Sequence, residues 1–203
     1  FASTLMSIRS LLLLLGVLLM NVHPAIAATR ERLVVGGGCF WCIEAGFDQL
    51  RGVEAAVSGY AGGHVADPSY KQVITGTTGH AEVVEITYDP TVIGLDVLLD
   101  VFFTLHDPTT LNRQGNDIGP QYRSIAFHAN PEQKAAIEAA IARAQPLHRD
   151  PVVTEVQPLE RFWVAEDYHQ EYFELNGHQP YCQLVIAPKI AKFRKTFRAW
   201  LKE

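Results

Sequence analysis

Gly36-Gly37-Gly38-Cys39-Phe40-Trp41-Cys42 joins two segments with different hydrophobic periods. Leu33-Val34-Val35, before it, is a short apolar run of strand character. Ile43, Glu44, Phe47 and Leu50, after it, are spaced as one face of a helix. The stretch is therefore read as a strand-to-helix turn with Cys39 at the helix start. Unpaired backbone N–H groups and the helix dipole favour an anion at such a place. A thiolate is such an anion, and the setting is expected to lower a cysteine pKa from about 8.5 toward neutrality. Phe40 and Trp41 beside it would form an apolar wall for a small substrate group. Cys39 is read as a reactive cysteine.

Working outward, strand-like segments are expected at 33–35, 53–59, 81–88, 124–128, 152–158 and 182–186. Helical segments are expected at 39–49, 94–105, 131–144, 165–174 and 190–201. Glu82-Val83-Val84-Glu85-Ile86-Thr87-Tyr88 mixes alternation with β-branched residues, as a sheet strand does. Asn130 followed by Pro131 and Glu132 is an N-cap followed by a first-turn proline and an early acid. Long loops bearing Gly, Asn and Pro span 60–79 and 107–121. No repeat or linker divides residues 29–203, so one α+β domain with functional loops is predicted.

The chain has 203 residues, 48% of them hydrophobic, which suits one ordinary core. A net charge of −5 without a long basic run argues against duplex nucleic acid as a partner, because phosphate neutralisation needs clustered Lys and Arg. Residues 1–28 carry Arg9, the apolar run from Leu11 to Met20 and then Ala25-Ile26-Ala27, the order of a secretory signal peptide. Cleavage after Ala27 is the first choice and after Ala28 the second. Met6 is a candidate start, and an uncleaved anchor is the alternative. Export to a periplasmic or extracellular location is the expectation. An odd set of cysteines there, Cys39, Cys42 and Cys182, leaves at least one thiol outside any stable bridge.

Three uses of Cys-x-x-Cys compete. A zinc site needs a second Cys or His pair at short spacing, and Cys182 and the scattered histidines do not provide one, so no metal is expected. A thioredoxin-type exchanger usually carries its aromatic residue before the first cysteine, whereas Phe40 and Trp41 lie between the two. A nucleophile with a nearby resolving thiol fits best. Glu82, where a Gly-rich loop enters an apolar strand, would be carried inward. A carboxyl desolvated there would have a raised pKa and act as a proton donor. The dense polar loop from Asn112 to Ser124 is costly to bury unless its groups pair with one another or with a ligand. Tyr70, Asp117 and Tyr122 are candidates to supply hydrogen bonds in a site. His169, in Ala165-Glu166-Asp167-Tyr168-His169-Gln170, is read as structural.

Six segments in order resemble the peptide methionine sulfoxide reductases of the A type, over nearly all of residues 29–203. They are Gly38-Cys39-Phe40-Trp41, Gly59-Tyr60-Ala61-Gly62-Gly63, Gly79-His80-Ala81-Glu82, His106-Asp107-Pro108-Thr109, the loop 112–124 and Ala165-Glu166-Asp167-Tyr168-His169-Gln170. The resemblance implies a two-layer ferredoxin-like sandwich around a mixed sheet. It implies that Phe40 and Trp41 receive the sulfoxide methyl group. Glu82, Tyr70 and Tyr122 would meet its oxygen, with Asp117 orienting them. Cys39 would attack sulfur, release methionine and become a sulfenic acid, which a second thiol condenses to a disulfide. A thioredoxin-like donor would reduce that disulfide. The A type acts on the S epimer and implies no cofactor. Many relatives have glycine at the place of Cys42 and resolve through a cysteine near the C-terminus. Here Cys42 is favoured by proximity, with Cys182 the alternative or a relay. The competing enzyme reading is a general thiol–disulfide oxidoreductase using Cys39 and Cys42. The competing non-enzyme reading is an exported module that binds Met-containing peptides. A monomer is expected, since no long amphipathic seam suggests pairing.

Overall fold

The computed structural model describes residues 29–203. The signal-peptide expectation for 1–28 lies outside the described residues. In chain order the regular elements are β1 (Glu31–Gly37), α1 (Phe40–Phe47), β2 (Val53–Ala61), α2 (Tyr70–Val73), β3 (Ala81–Tyr88) and α3 (Leu95–Leu105). There follow β4 (Arg113–Gln114), β5 (Asp117–Ile118), β6 (Ser124–His128), α4 (Pro131–Ala144), β7 (Glu155–Pro158), β8 (Phe162–Val164), α5 (Tyr172–Leu175) and α6 (Ala187–Thr196).

Six strands form one mixed sheet in the order β7-β6-β1-β3-β2-β8. Every neighbouring pair is antiparallel except β6 and β7. Side chains alternate across this sheet as strand geometry requires. On β3, Val84, Ile86 and Tyr88 join the main core, whereas Ala81 and Val83 join a smaller apolar cluster with Val34, Ala61, Ile125 and Phe127. Glu82 shares its side of the strand with the main-core residues. Helix α1 packs on β2 and β3 and against α3 and α6, closing that core. The register opposes Tyr60 to Glu82 and Ala61 to Ala81, so the end of β2 and the start of β3 lie together. β1 delivers Gly37 and Cys39 to the same end, because its Val35 opposes Val84.

Two expectations are corrected. Segment 182–186 is not a strand but a π-helical turn, Cys182–Ile186, running directly into α6. Its burial explains this: Cys182 and Ile186 are buried while Leu184 between them is exposed, a helical spacing of four and not a strand's alternation. The helix expected over 165–174 is broken. Glu171 adopts the left-handed region at φ 50°, separating a 3₁₀ turn, Asp167–His169, from α5. The preceding Gln170 explains the break. Its side chain accepts from Ser58 N–H at 2.9 Å and donates to Ser58 C=O at 3.0 Å, bonding to β2 as a short strand would. The helix placed at 190–201 begins at Ala187 and ends at Thr196, followed by a 3₁₀ turn, Arg198–Trp200. The two-stranded β4–β5 ribbon, α2 and β8 were not anticipated.

Candidate active site

Cys39 is the N-cap of α1 and makes no side-chain cap of its own. Gly38 before it has φ 95°, and a Cβ there would come within 2.5 Å of Gln114 Cγ. Only glycine fits both the backbone angle and the space. Gln114 in turn spans Asp107, accepting from its N–H at 3.2 Å and donating to its C=O at 3.0 Å. Asp107 takes the N–H and hydroxyl of Thr109. His106, also buried, contacts Phe102 C=O through Nδ1 and Ser124 Oγ through Nε2. Gln114 and Asp107 are thus paired with each other behind the cysteine turn.

Glu82 is 1% exposed, and its Oε2 accepts the Phe40 N–H at 3.1 Å. The leading donor of the helix therefore serves the carboxyl and not the thiol. Burial pushes the Glu82 pKa up to about 8, helped by the charges of Asp117 and Cys42 and opposed by the Phe40 N–H. The expectation for Cys39 is corrected accordingly. Burial holds its thiol well above the ordinary value, and its hydrogen bond to Cys42 and the neighbouring Glu82 act in the same direction. Cys42 moves the other way. The hydrogen bond from Cys39 and the Lys189 ammonium outweigh burial and lower its pKa. Lys189 Nζ lies 3.9 Å from Cys42 Sγ.

Tyr70, Tyr122 and Asp117 converge on this pair. Tyr122 is kept protonated by burial and then by Glu82, Tyr70, Asp117 and Cys39. Tyr70 is pushed up to about 12 by burial and then by Glu82 and Cys39. Asp117, on β5, accepts from the Tyr181 hydroxyl at 2.9 Å. Burial, then the charges of Cys39 and Cys42, raise the Tyr181 pKa, and its hydrogen bond to Cys39 acts in the same direction. Trp41 is stacked on Tyr172 at 3.6 Å between ring centroids and 7° between planes, and its indole N–H donates to His169 Nδ1 at 3.2 Å. Phe40 is fully buried behind it against Tyr60 and His169. His169 is a buried positioning residue, in agreement with the structural reading of it.

Sequence reasoning missed Tyr181, Glu166 and Lys189. Glu166 accepts from the Tyr60 hydroxyl and from Tyr70 N–H, both at 2.8 Å, and so pins the start of α2. A tyrosine directly before Cys182 was the available signal for Tyr181. Nothing local marked Lys189, which lies 147 positions from its sulfur partner. Cys182 is completely buried, and its thiol is pushed up by burial and then by Cys42. All three thiols are free.

The family description "Peptide methionine sulfoxide reductase" matches residues 31–201. A peptide methionine sulfoxide reductase MsrA of Paenarthrobacter aurescens (strain TC1) is 56% identical over 171 residues, covering 84% of this chain and 98% of the relative. One of Haloquadratum walsbyi is 55% identical over 167 residues, covering 82% of this chain and 96% of the relative. Among solved structures, Mxr1 of Saccharomyces cerevisiae in reduced form superposes with a TM-score of 0.71 at 34% identity, over 77% of this chain and 91% of that one. Methionine sulfoxide reductase A of Corynebacterium diphtheriae superposes with a TM-score of 0.69 at 36% identity, over 73% and 76%. With a cysteine at a helix start, a buried carboxyl on that helix's leading N–H and two tyrosines beside them, the chain belongs to the peptide methionine sulfoxide reductase family.

Proposed function

We propose that this enzyme reduces the S epimer of methionine sulfoxide, free or in peptides, to methionine. The observation that carries the reading is Glu82. It is a desolvated carboxyl with a pKa of about 8 whose Oε2 sits on the Phe40 N–H, next to the Cys39 sulfur. At neutral pH it holds a proton that a sulfoxide oxygen can take as the S–O bond breaks. Tyr70 and Tyr122, both kept protonated, supply further donors to that oxygen. Asp117 orients this network through Tyr181. Trp41, backed by Phe40, receives the methyl group. Cys39 attacks sulfur, methionine leaves and the oxygen remains on Cys39 as a sulfenic acid. Cys42 then condenses with it, releasing water, and a thioredoxin-like donor reduces the disulfide. General disulfide exchange has no use for a protonated carboxyl and two tyrosine hydroxyls beside the nucleophile.

The strand order β6-β1-β3-β2, antiparallel throughout, with α1 and α3 on one face, supports a ferredoxin-like sandwich as the core of the fold. Residues 29–203 are the catalytic domain in this reading. The residue order of 1–28 supports export to the periplasm or beyond.

The test is turnover of the two separated sulfoxide epimers under dithiothreitol, with Cys39→Ser alongside. Turnover of the S epimer alone, abolished in the variant, is expected. Folded protein with free thiols that reduces neither epimer would sink the proposal.

A further inference from the structure

We propose that the Lys189 ammonium is the counter-ion of the Cys42 sulfur, so that one lysine on α6 drives closure of the Cys39–Cys42 disulfide and selects the sulfur at which a donor opens it. The inference rests on the sulfenic-acid chemistry proposed above.

The geometry comes from the π-helical turn. Cys182–Ile186 leads without a break into α6, placing Lys189 in its first turn with Nζ 3.9 Å from Cys42 Sγ. Cys42 is 1% exposed, so this ammonium acts with little solvent between. The other groups facing Cys42 are the Cys39 thiol, which donates to it, the Tyr181 hydroxyl, Asp117, whose negative charge opposes it, and Glu82, which holds its proton at neutral pH. Cys182 faces Cys42 as well, but burial and the Cys42 charge both keep it a thiol. The two candidate resolving sulfurs are thereby distinguished: one carries a cation and the other does not share it.

In the closing step the Cys42 thiolate attacks the sulfenic sulfur of Cys39. The new S–S bond forms, the S–O bond breaks, and hydroxide leaves as water on taking a proton. In the opening step a donor thiolate attacks one sulfur and expels the other. A thiol of lower pKa leaves faster, and Cys42 is the better-stabilised leaving thiolate. Cys39 is also the more accessible of the two, at 8% against 1%. The donor therefore bonds to Cys39, the electron pair of the broken S–S bond goes to Cys42 beside Lys189, and the second donor thiol completes the exchange.

The experiment compares Lys189→Met and Lys189→Arg with the parent, all carrying Cys182→Ser, after checking that each melts cooperatively. Methionine S-sulfoxide converts Cys39 to the sulfenic acid, and intact mass follows its loss to the disulfide between pH 5 and 9. Methionine released in the same samples reports separately on the proposed function, so failed oxidation and unaltered closure are told apart. Losing a charge this close is expected to raise the pH midpoint of closure by about one unit or more. At pH 7 the thiolate fraction then falls about tenfold, while higher intrinsic nucleophilicity returns about threefold, so closure slows about threefold. Lys189→Arg restores the parent midpoint. Closure in Lys189→Met with the parent midpoint and rate, or a shift that Lys189→Arg fails to restore, overturns the proposal.

Discussion

Glu82 shows how one residue's environment sets its chemistry. Its carboxyl is buried on the start of α1 and accepts one backbone N–H, which offsets only part of the desolvation that raises its pKa to about 8. Two consequences follow for activity. The rate constant kcat should fall as pH rises through about 8, when the donor proton is lost. Glu82→Gln keeps an oxygen for the Phe40 N–H but has no acidic proton, so kcat should drop by about 10²–10⁴. The alkaline limb should vanish with it. A pH profile of S-sulfoxide reduction between 6 and 9 for both proteins decides the matter. An alkaline limb unchanged in Glu82→Gln would assign the proton to another group. The tyrosines would then be the candidates.

At the scale of elements, α1 and α4 begin in opposite ways. α4 is capped conventionally: Asn130 Oδ1 accepts the Gln133 N–H at 2.7 Å, and Pro131 occupies the first turn. Asn130→Ala should cost about 1 kcal/mol in urea unfolding and leave turnover intact. α1 has no such cap, because Cys39 stands at that position and Glu82 uses the leading N–H. Its start is held instead by Gly38 at φ 95° against Gln114. Gly38→Ala should cost about 1–3 kcal/mol in the same measurement and also depress turnover, because the displaced turn carries the nucleophile. Equal effects of the two changes on activity would contradict this division. The same elements show what the sequence can disclose. Strands β1, β2, β3 and β6 and helices α3 and α4 were legible because their periodicity and caps are local. The turn before Cys39 was legible too, from Gly-Gly-Gly between unlike periods. The direction of the Cys39 pKa was not. It depends on burial of the thiol and on a carboxyl, 42 residues from Phe40, that takes the helix donor. Nor was the break at Glu171, which follows from the Gln170 side chain bonding to Ser58 across 112 residues. The Cys182–Ile186 turn is apolar and short, and such runs read equally as strand or helix until burial is known.

Across the whole molecule, burial raises the pKa of several acids. Burial raises Glu82 to about 8, Glu44 to about 7 and Asp48 to about 6. Glu44 and Asp48 line a cavity of about 200 Å³ between α1 and the segment carrying Glu171 and Glu174. The folded state therefore binds more protons than the unfolded chain from about pH 4.5 upward to these values. Their stabilisation is fully present below the unfolded carboxyl pKa and is lost as pH rises through 6 to 8. His106 works in the opposite sense. It is buried neutral, with its pKa lowered from 6.5 to about 4, so its contribution is present above 6.5 and lost as pH falls toward 4. His169, buried and with its pKa lowered by burial, adds to His106; between pH 5 and 8 three raised acids oppose two histidines, and the acids set the slope. The melting temperature should be higher at pH 5 than at pH 8. Glu44→Gln keeps an oxygen beside the Glu171 and Tyr172 N–H groups that favour the carboxylate. It removes the ionisation, so it should flatten the slope by raising the melting temperature at pH 8 more than at pH 5. Thermal melts of the two proteins across that range test the assignment. A melting temperature that climbs steadily from pH 5 to 8 in the parent would mean that His106 and His169, and not the buried acids, govern the response of the fold to pH.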